Sequence, residues 1–194
     1  MPRPSITGLV LCGGRGSRMG GVDKGLQPLA GKPLVEHALQ RLRPQVGALA
    51  VNANRHLEIY AGLGLPVWPD ALAGYPGPLA GILAGLEACT TPWLMTVPCD
   101  APCFPLDLVA RLADAAEKAA ADIAVPLADG RTQPVFCLAK ASLAGGLREF
   151  MRGEERRVEA WLDRHPLVRL PFDDAAAFAN VNTHQDLMSL EGTA

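Results

Sequence analysis

Between residues 6 and 12 the chain reads Ile-Thr-Gly-Leu-Val-Leu-Cys, an almost unbroken apolar run, and at residue 13 it turns abruptly to glycine. A run this short and continuous is the mark of a strand buried on both faces. Such strands belong to parallel sheets covered by helices on either side, which fixes the fold class early. The rest of the chain repeats the theme. Ala48–Asn52, Pro66–Trp68, Trp93–Val97 and Ile123–Pro126 read as further strands. Between them lie helical patterns: Pro33–Leu42, with Pro33 in the first turn and Leu34, Ala38 and Leu42 on one face; His56–Leu63; Leu79–Ala88; and Leu106–Ala121. Two more helices are expected near Leu143–Met151 and Val158–Arg164, and Thr183 with Asp186 forms a capping box for a last one. Gln133–Leu138 predicts a strand, placed at a sheet edge because Pro134 cannot donate to a ladder. Strands alternating with helices give an α/β fold: one Rossmann-like, three-layer domain over residues 1–194 with a mostly parallel central sheet. In such sheets ligands sit beyond the carboxyl ends of the strands.

Composition narrows the partners. The net charge is −2 over 194 residues, so no global basic field points to nucleic acid or an anionic membrane. Any anionic substrate must be held by local groups. No apolar run approaches the roughly 20 residues of a membrane span. Residues 1–5 lack the cleavage pattern of a secretory signal, so a cytoplasmic protein is expected. The five cysteines, Cys12, Cys89, Cys99, Cys103 and Cys137, have no metal-site or CxxC spacing and read as small buried hydrophobes in a reducing compartment.

The glycine-rich stretch after the first strand carries the chemistry. Five glycines lie between 13 and 21, with Arg15, Arg18 and Lys24 among and just after them. Glycine lets backbone approach a ligand closely, and successive N–H groups make an anion-binding concavity. Arginine grips phosphate oxygens bidentately, and lysine acts as a point charge. Two familiar phosphate loops are excluded. The spacing after Gly14-x-Gly16 does not give G-x-G-x-x-G, and Gly31-Lys32 is followed by Pro33 rather than Ser or Thr.

Asp100 follows the Trp93–Val97 run. A lone carboxylate at a strand's carboxyl end suits Mg²⁺, which takes one or two protein carboxylates and completes its shell with water and substrate phosphates. Asp100 lies too far upstream to cap the Leu106–Ala121 helix. The four histidines have no mutual spacing suited to a metal or a base. Asp173-Asp174 reads as a solvated pair, and residues 154–157 (Glu-Glu-Arg-Arg) as an exposed charged turn.

The pattern L-x-G-G-x-G-x-R-M-G-G-x-D-K-G-L, from Leu11 to Leu26, resembles the nucleotide-binding opening of molybdenum cofactor guanylyltransferases, with Cys12 where alanine is expected. The likeness extends to Leu187. It implies Mg²⁺-dependent transfer of GMP from GTP to the phosphate of molybdopterin, with loss of pyrophosphate. It implies a GTP site formed by Leu11, Cys12, Gly13, Gly14, Gly16, Lys24, Asn52, Asp70 and Asp100, with Arg18, Lys24 and Asp100 as the catalytic set. Pro98-Cys99-Asp100-Ala101-Pro102 resembles the family's metal-binding segment, with Asp100 as ligand. Asp70 opens D-x-x-x-G-x-x-G-P-L-A-G, and a carboxylate there can accept two hydrogen bonds from guanine. Gln133, Asn180 and Asn182 resemble pterin-side positions, although His184 stands where the family has proline. The bland alternative for Asn52, Asp70, Asn180 and Asn182 is turn stabilisation. The family further implies contact with cofactor-insertion proteins or molybdoenzymes. Two rival readings remain: a cytidylyltransferase acting on the same pterin or on a sugar alcohol phosphate, and a non-catalytic nucleotide-binding regulator. The first would differ around Asn52 and Asp70; the second would have lost Asp100, Arg18 or Lys24.

Overall fold

The computed structural model describes residues 5–13, 23–70, 72, 77–181 and 186. Ten strands and six helices alternate along it. The strands are β1 (Ile6–Leu11), β2 (Pro28–Leu29), β3 (Lys32–Pro33), β4 (Ala48–Asn52), β5 (Val67–Trp68), β6 (Trp93–Pro98), β7 (Ile123–Ala128), β8 (Arg131–Thr132), β9 (Cys137–Lys140) and β10 (Leu167–Phe172). The helices are α1 (Leu34–Leu42), α2 (Leu57–Ala61), α3 (Pro78–Ala88), α4 (Leu108–Lys118), α5 (Ala144–Phe150) and α6 (Val158–Leu162).

The main sheet has the order β10-β7-β9-β6-β1-β4-β5, with β8 paired to β7. β5, β4, β1 and β6 run parallel, and β10 runs parallel to β7. β9 is antiparallel to both its neighbours, β6 and β7. The sheet is therefore mostly parallel, as expected. β2 and β3 form a separate small hairpin. Its turn places Ala30 and Gly31 at positive φ.

Side chains alternate across the sheet with the two-residue period of a strand. Val10, Val51, Met95 and Val97 pack with Val35, Leu39 and Leu42 of α1 and Leu108 and Leu112 of α4. Leu9, Leu11, Ala50 and Leu94 pack on the other face with Leu79, Ile82 and Leu83 of α3, Leu147 of α5 and Trp161 of α6. The result is three layers, helix–sheet–helix. α3 needs no polar face at its inner turns, because every residue from Leu79 to Leu86 is buried. Among the described residues no helix is long and apolar enough to cross a membrane.

Several expectations need correction. The strand placed at 133–138 begins at Cys137, ends at Lys140, and lies in the middle of the sheet. Pro134 is compatible with that position because it sits in the turn before the strand, where Phe136 N–H donates to the Gln133 carbonyl at 3.1 Å. The edges are β5 and β10, and no strand was expected at β10. The helix read over 106–121 spans Leu108–Lys118. Leu106 is exposed, and Ala120 at φ 49° turns the chain out of the helix. The helices read over 143–151 and 158–164 are shorter, at Ala144–Phe150 and Val158–Leu162. Thr183, the expected start of the last helix, lies outside the described residues.

Candidate nucleotide site

The site grows from three neighbouring strand ends. Leu11 is in register with Asn52 of β4 and Pro98 of β6. The ladder continues one residue further: Cys12 N–H donates to the Asn52 carbonyl at 2.8 Å, and Cys99 N–H to the Leu11 carbonyl at 3.1 Å. These two bonds bring Gly13 and Asp100 out of the sheet along the same edge. Gly14, Arg15, Gly16 and Arg18, assigned to the phosphates, lie outside the described residues.

Asn52 is 1% exposed and stands at the centre of a polar network. Its Nδ2 donates to the Trp68 carbonyl at 2.9 Å and to Asp70 Oδ1 at 3.0 Å. Asn54, two residues on, donates from Nδ2 to the Gly13 carbonyl at 3.3 Å and accepts the Asp70 N–H at 2.8 Å. The two asparagines thus tie the ends of β1, β4 and β5 together and aim Asp70 at the edge. Glycine is required around them. A Cβ at Gly13 would lie 2.8 Å from Asn52 Oδ1, and one at Gly81 would lie 2.5 Å from the same atom.

Asp23 caps a turn of 3-10 helix over Lys24–Leu26. Asp23 is buried, and its Oδ1 accepts from the Gly25 N–H at 3.1 Å and from the Tyr60 hydroxyl at 2.7 Å. Burial raises the Tyr60 pKa well above its ordinary value, and nearby Cys12 and Asp23 add to the shift. The phenol therefore stays protonated and donating. From this turn Lys24 reaches across to Asp100, Nζ to Oδ2 3.0 Å, with both side chains largely covered. The neighbouring Cys99 thiol is also pushed up, by its hydrogen bond with Cys12 and then by burial. All five cysteines are free; Cys12, Cys99 and Cys137 are buried, as the small-hydrophobe reading expects, whereas Cys89 and Cys103 are half-buried.

A second flank meets the same edge. Val181 N–H donates to the Asp100 carbonyl at 2.6 Å, which brings the exposed Asn180 beside the Asp100 segment. The Phe136 and Phe178 rings meet edge to face at 5.1 Å. Thr96 of β6 donates its hydroxyl to the Val135 carbonyl at 2.7 Å. Gln133 and Asn180 are thereby tied to one end of the sheet; Asn182 lies outside the described residues.

A model of the MobA-like NTP transferase domain matches residues 8–169 of this chain. The molybdenum cofactor guanylyltransferase of Cupriavidus necator is 55% identical over 194 residues, covering 97% of this chain and 98% of that protein. The protein of the same name from Bordetella petrii is 56% identical over 192 residues, covering 97% and 98%. The chain belongs to the molybdenum cofactor guanylyltransferase family. Among solved structures, the molybdopterin-guanine dinucleotide biosynthesis protein A of Archaeoglobus fulgidus superposes with a TM-score of 0.79 at 26% identity, covering 96% of this chain and 97% of that one.

Within this guanylyltransferase-family chain, Leu11, Cys12, Gly13, Lys24, Asn52, Asp70 and Asp100 converge on one edge through the bonds above. Asp23, Tyr60 and Asn54 were missed as contributors. Asn54 had a signal, since an Asn-x-Asn follows directly on a strand. Tyr60 had none, because its partner is 37 residues away. The remaining candidates are structural. His37 Nε2 bonds the Leu29 carbonyl at 2.8 Å. His165 meets Trp161 edge-on. Asp174 accepts the Ala177 N–H at 3.2 Å. Glu155 pairs with Arg157 on the exposed turn; that bonding holds its carboxyl at about 2. Among the described residues no cluster of three or more His, Cys, Asp and Glu could hold a metal.

Proposed function

We infer that this chain transfers GMP from GTP to the phosphate of molybdopterin and releases pyrophosphate. The observation that carries the reading is the pairing of Lys24, from the 3-10 turn Lys24–Leu26, with Asp100, just past the end of β6, beside the Asn52–Asp70 network. A cation and a carboxylate side by side at a parallel sheet's ligand edge suit a metal-complexed triphosphate.

Each group then has a task. Backbone amides over Gly13–Gly16, with Arg18, hold the β- and γ-phosphates. Lys24 neutralises charge developing around the α-phosphate. Asp70 presents a carboxylate oxygen to guanine N1–H and the exocyclic amine, with Asn52 fixing its angle. Gln133, Asn180 and Asn182 face the pterin. The attacking phosphate is already an anion near neutral pH, so positioning and charge neutralisation are needed rather than a strong base.

The donor set at Asp100 fits Mg²⁺. This ion asks for few protein ligands, here one partly covered carboxylate, and takes the rest from water and phosphate. When bound, the cation supplies Lewis-acid neutralisation of the phosphate oxygens. Unpaired buried thiols favour a reducing, cytoplasmic setting, where insertion proteins or molybdoenzymes would collect the product.

Calorimetric titration with GTP, CTP, ATP and UTP, each with Mg²⁺, tests the reading. GTP should be preferred at least tenfold, a difference of about 1.4 kcal/mol. Pyrophosphate release should then require molybdopterin. A preference for CTP would overturn the guanine assignment and move the activity to a cytidylyltransferase.

A further inference from the structure

Tyr60 belongs to α2, a five-residue helix whose other residues are exposed. Its side chain is nevertheless wholly buried, and it runs inward to end on Asp23 rather than on solvent. The contact is tight in two ways. The carboxylate oxygen that accepts the phenol also accepts the Gly25 N–H. A Cβ at Gly25 would lie 2.5 Å from the Tyr60 hydroxyl, so the backbone of the turn rests directly on that oxygen. Lys24 is the single residue between the two that the phenol holds. The turn is closed by Leu26 N–H to the Asp23 carbonyl at 3.2 Å and Gln27 N–H to the Lys24 carbonyl at 3.0 Å. It thus has a fixed origin from which Lys24 reaches Asp100.

We propose that Tyr60 is a positioning residue for guanylyl transfer: its hydroxyl anchors Asp23, and through the Asp23–Gly25 turn it sets where the Lys24 ammonium stands against Asp100. The inference rests on the reading that Lys24 acts at the α-phosphate. Lysine is a point charge on a flexible stem, so its value in neutralising developing charge depends on where its backbone is held. A misplacement of about 1 Å by a change far from the reacting atoms can cost up to roughly 10²-fold in rate.

The test compares Y60F, K24A and the Y60F/K24A double variant, with D23N and D23A alongside. Turnover is followed with GTP, Mg²⁺ and molybdopterin, and GTP affinity by calorimetry without the acceptor. Y60F should lower kcat about tenfold while the GTP dissociation constant changes less than threefold. In the K24A background Y60F should add less than twofold, because the residue it positions is gone. D23N keeps an oxygen that accepts from both Tyr60 and Gly25 and should stay within about threefold of the parent, whereas D23A should fall as far as Y60F. The D23 pair leaves the core under α2 intact, so the comparison survives if Y60F folds poorly. Y60F at parental turnover, or Y60F and K24A effects that simply multiply, would overturn the proposal while K24A remains slow. Full turnover in K24A would instead overturn the role given to Lys24 itself.

Discussion

Gly81 and Gly85 lie one turn apart in α3, yet alanine should act differently at the two. At Gly81 the new methyl would stand 2.5 Å from Asn52 Oδ1 and 2.9 Å from Leu11 Cδ2. At Gly85 it would meet Leu9 Cδ2 at 2.5 Å and Leu94 Cδ2 at 2.7 Å. Both alanines gain about 1 kcal/mol of helix propensity, and both overpack a filled site at a cost of about 1–3 kcal/mol. The leucine tips can swing away. Asn52 cannot, because both its Nδ2 bonds would break with it. Those bonds are worth about 1 kcal/mol each. The net destabilisation is then about 2–4 kcal/mol for G81A and about 0–2 kcal/mol for G85A. For a chain of this length G81A should lose roughly 5–15 °C of melting temperature. The functional difference is sharper. Turning Asn52 releases Asp70, so G81A should lose at least tenfold in GTP affinity, about 1.4 kcal/mol, while G85A stays within about twofold of the parent. Scanning calorimetry and GTP titration on both variants decide the matter. Parental GTP affinity in G81A, or equal losses in the two, would refute the role given to Asn52.

Two further changes probe the metal and the packing. Asp100→Asn keeps the shape of the side chain and removes its charge; turnover should fall about 10²-fold and the Mg²⁺ response should flatten, whereas undiminished Mg²⁺-dependent turnover would place the metal elsewhere. Burial beside Trp161 lowers the His165 pKa below the ordinary 6.5. The unfolded chain then takes up the proton first, so stability is lost as pH falls through 6.5. Melting temperatures at pH 7.5 and 5.5 should differ less for His165→Gln than for the parent, and an unchanged difference would sink the assignment.

What the sequence made legible, and what it hid, follows the range of the interactions. β1 and β6 are nearly continuous apolar runs buried on both faces, and β4 is an apolar run buried over its last three residues, so composition alone marks them. Asp100 and Asn52 stand out because they end such runs. β10 did not, because only one of its faces is covered: Val168, Leu170 and Phe172 turn to the core while Arg169 and Pro171 are exposed, so its six residues form no continuous apolar run. Its place comes from pairing with β7 some forty residues earlier. Asp23 looked like spacing within a motif, and only the fold brings Tyr60 beneath it. The glycine at 81 was visible as a letter in a pattern, but its reason, the approach of Asn52 from another strand, was not.

The reversal of β9 has a consequence for how two substrates can meet. In the parallel part of the sheet, β1, β4, β5 and β6 all deliver their carboxyl ends to one edge, and Gly13, Asp70 and Asp100 follow from them. A further parallel strand after β7 would have carried the 133–136 turn to the opposite end. Because β9 runs antiparallel, with Cys137 in register with Thr96, its amino end lies level with the carboxyl end of β6. Gln133 is then held at the ligand edge by its N–H bond to the Pro126 carbonyl at 2.8 Å. Phe136, at the foot of the same turn, receives Phe178, and three residues later Val181 bonds the carbonyl of Asp100. Parallel strands thus build the half assigned to the nucleotide, and one reversed strand with the segment it packs builds the half assigned to the pterin. Among the described residues the two halves meet at Asp100, whose side chain takes Lys24 and whose backbone takes Val181.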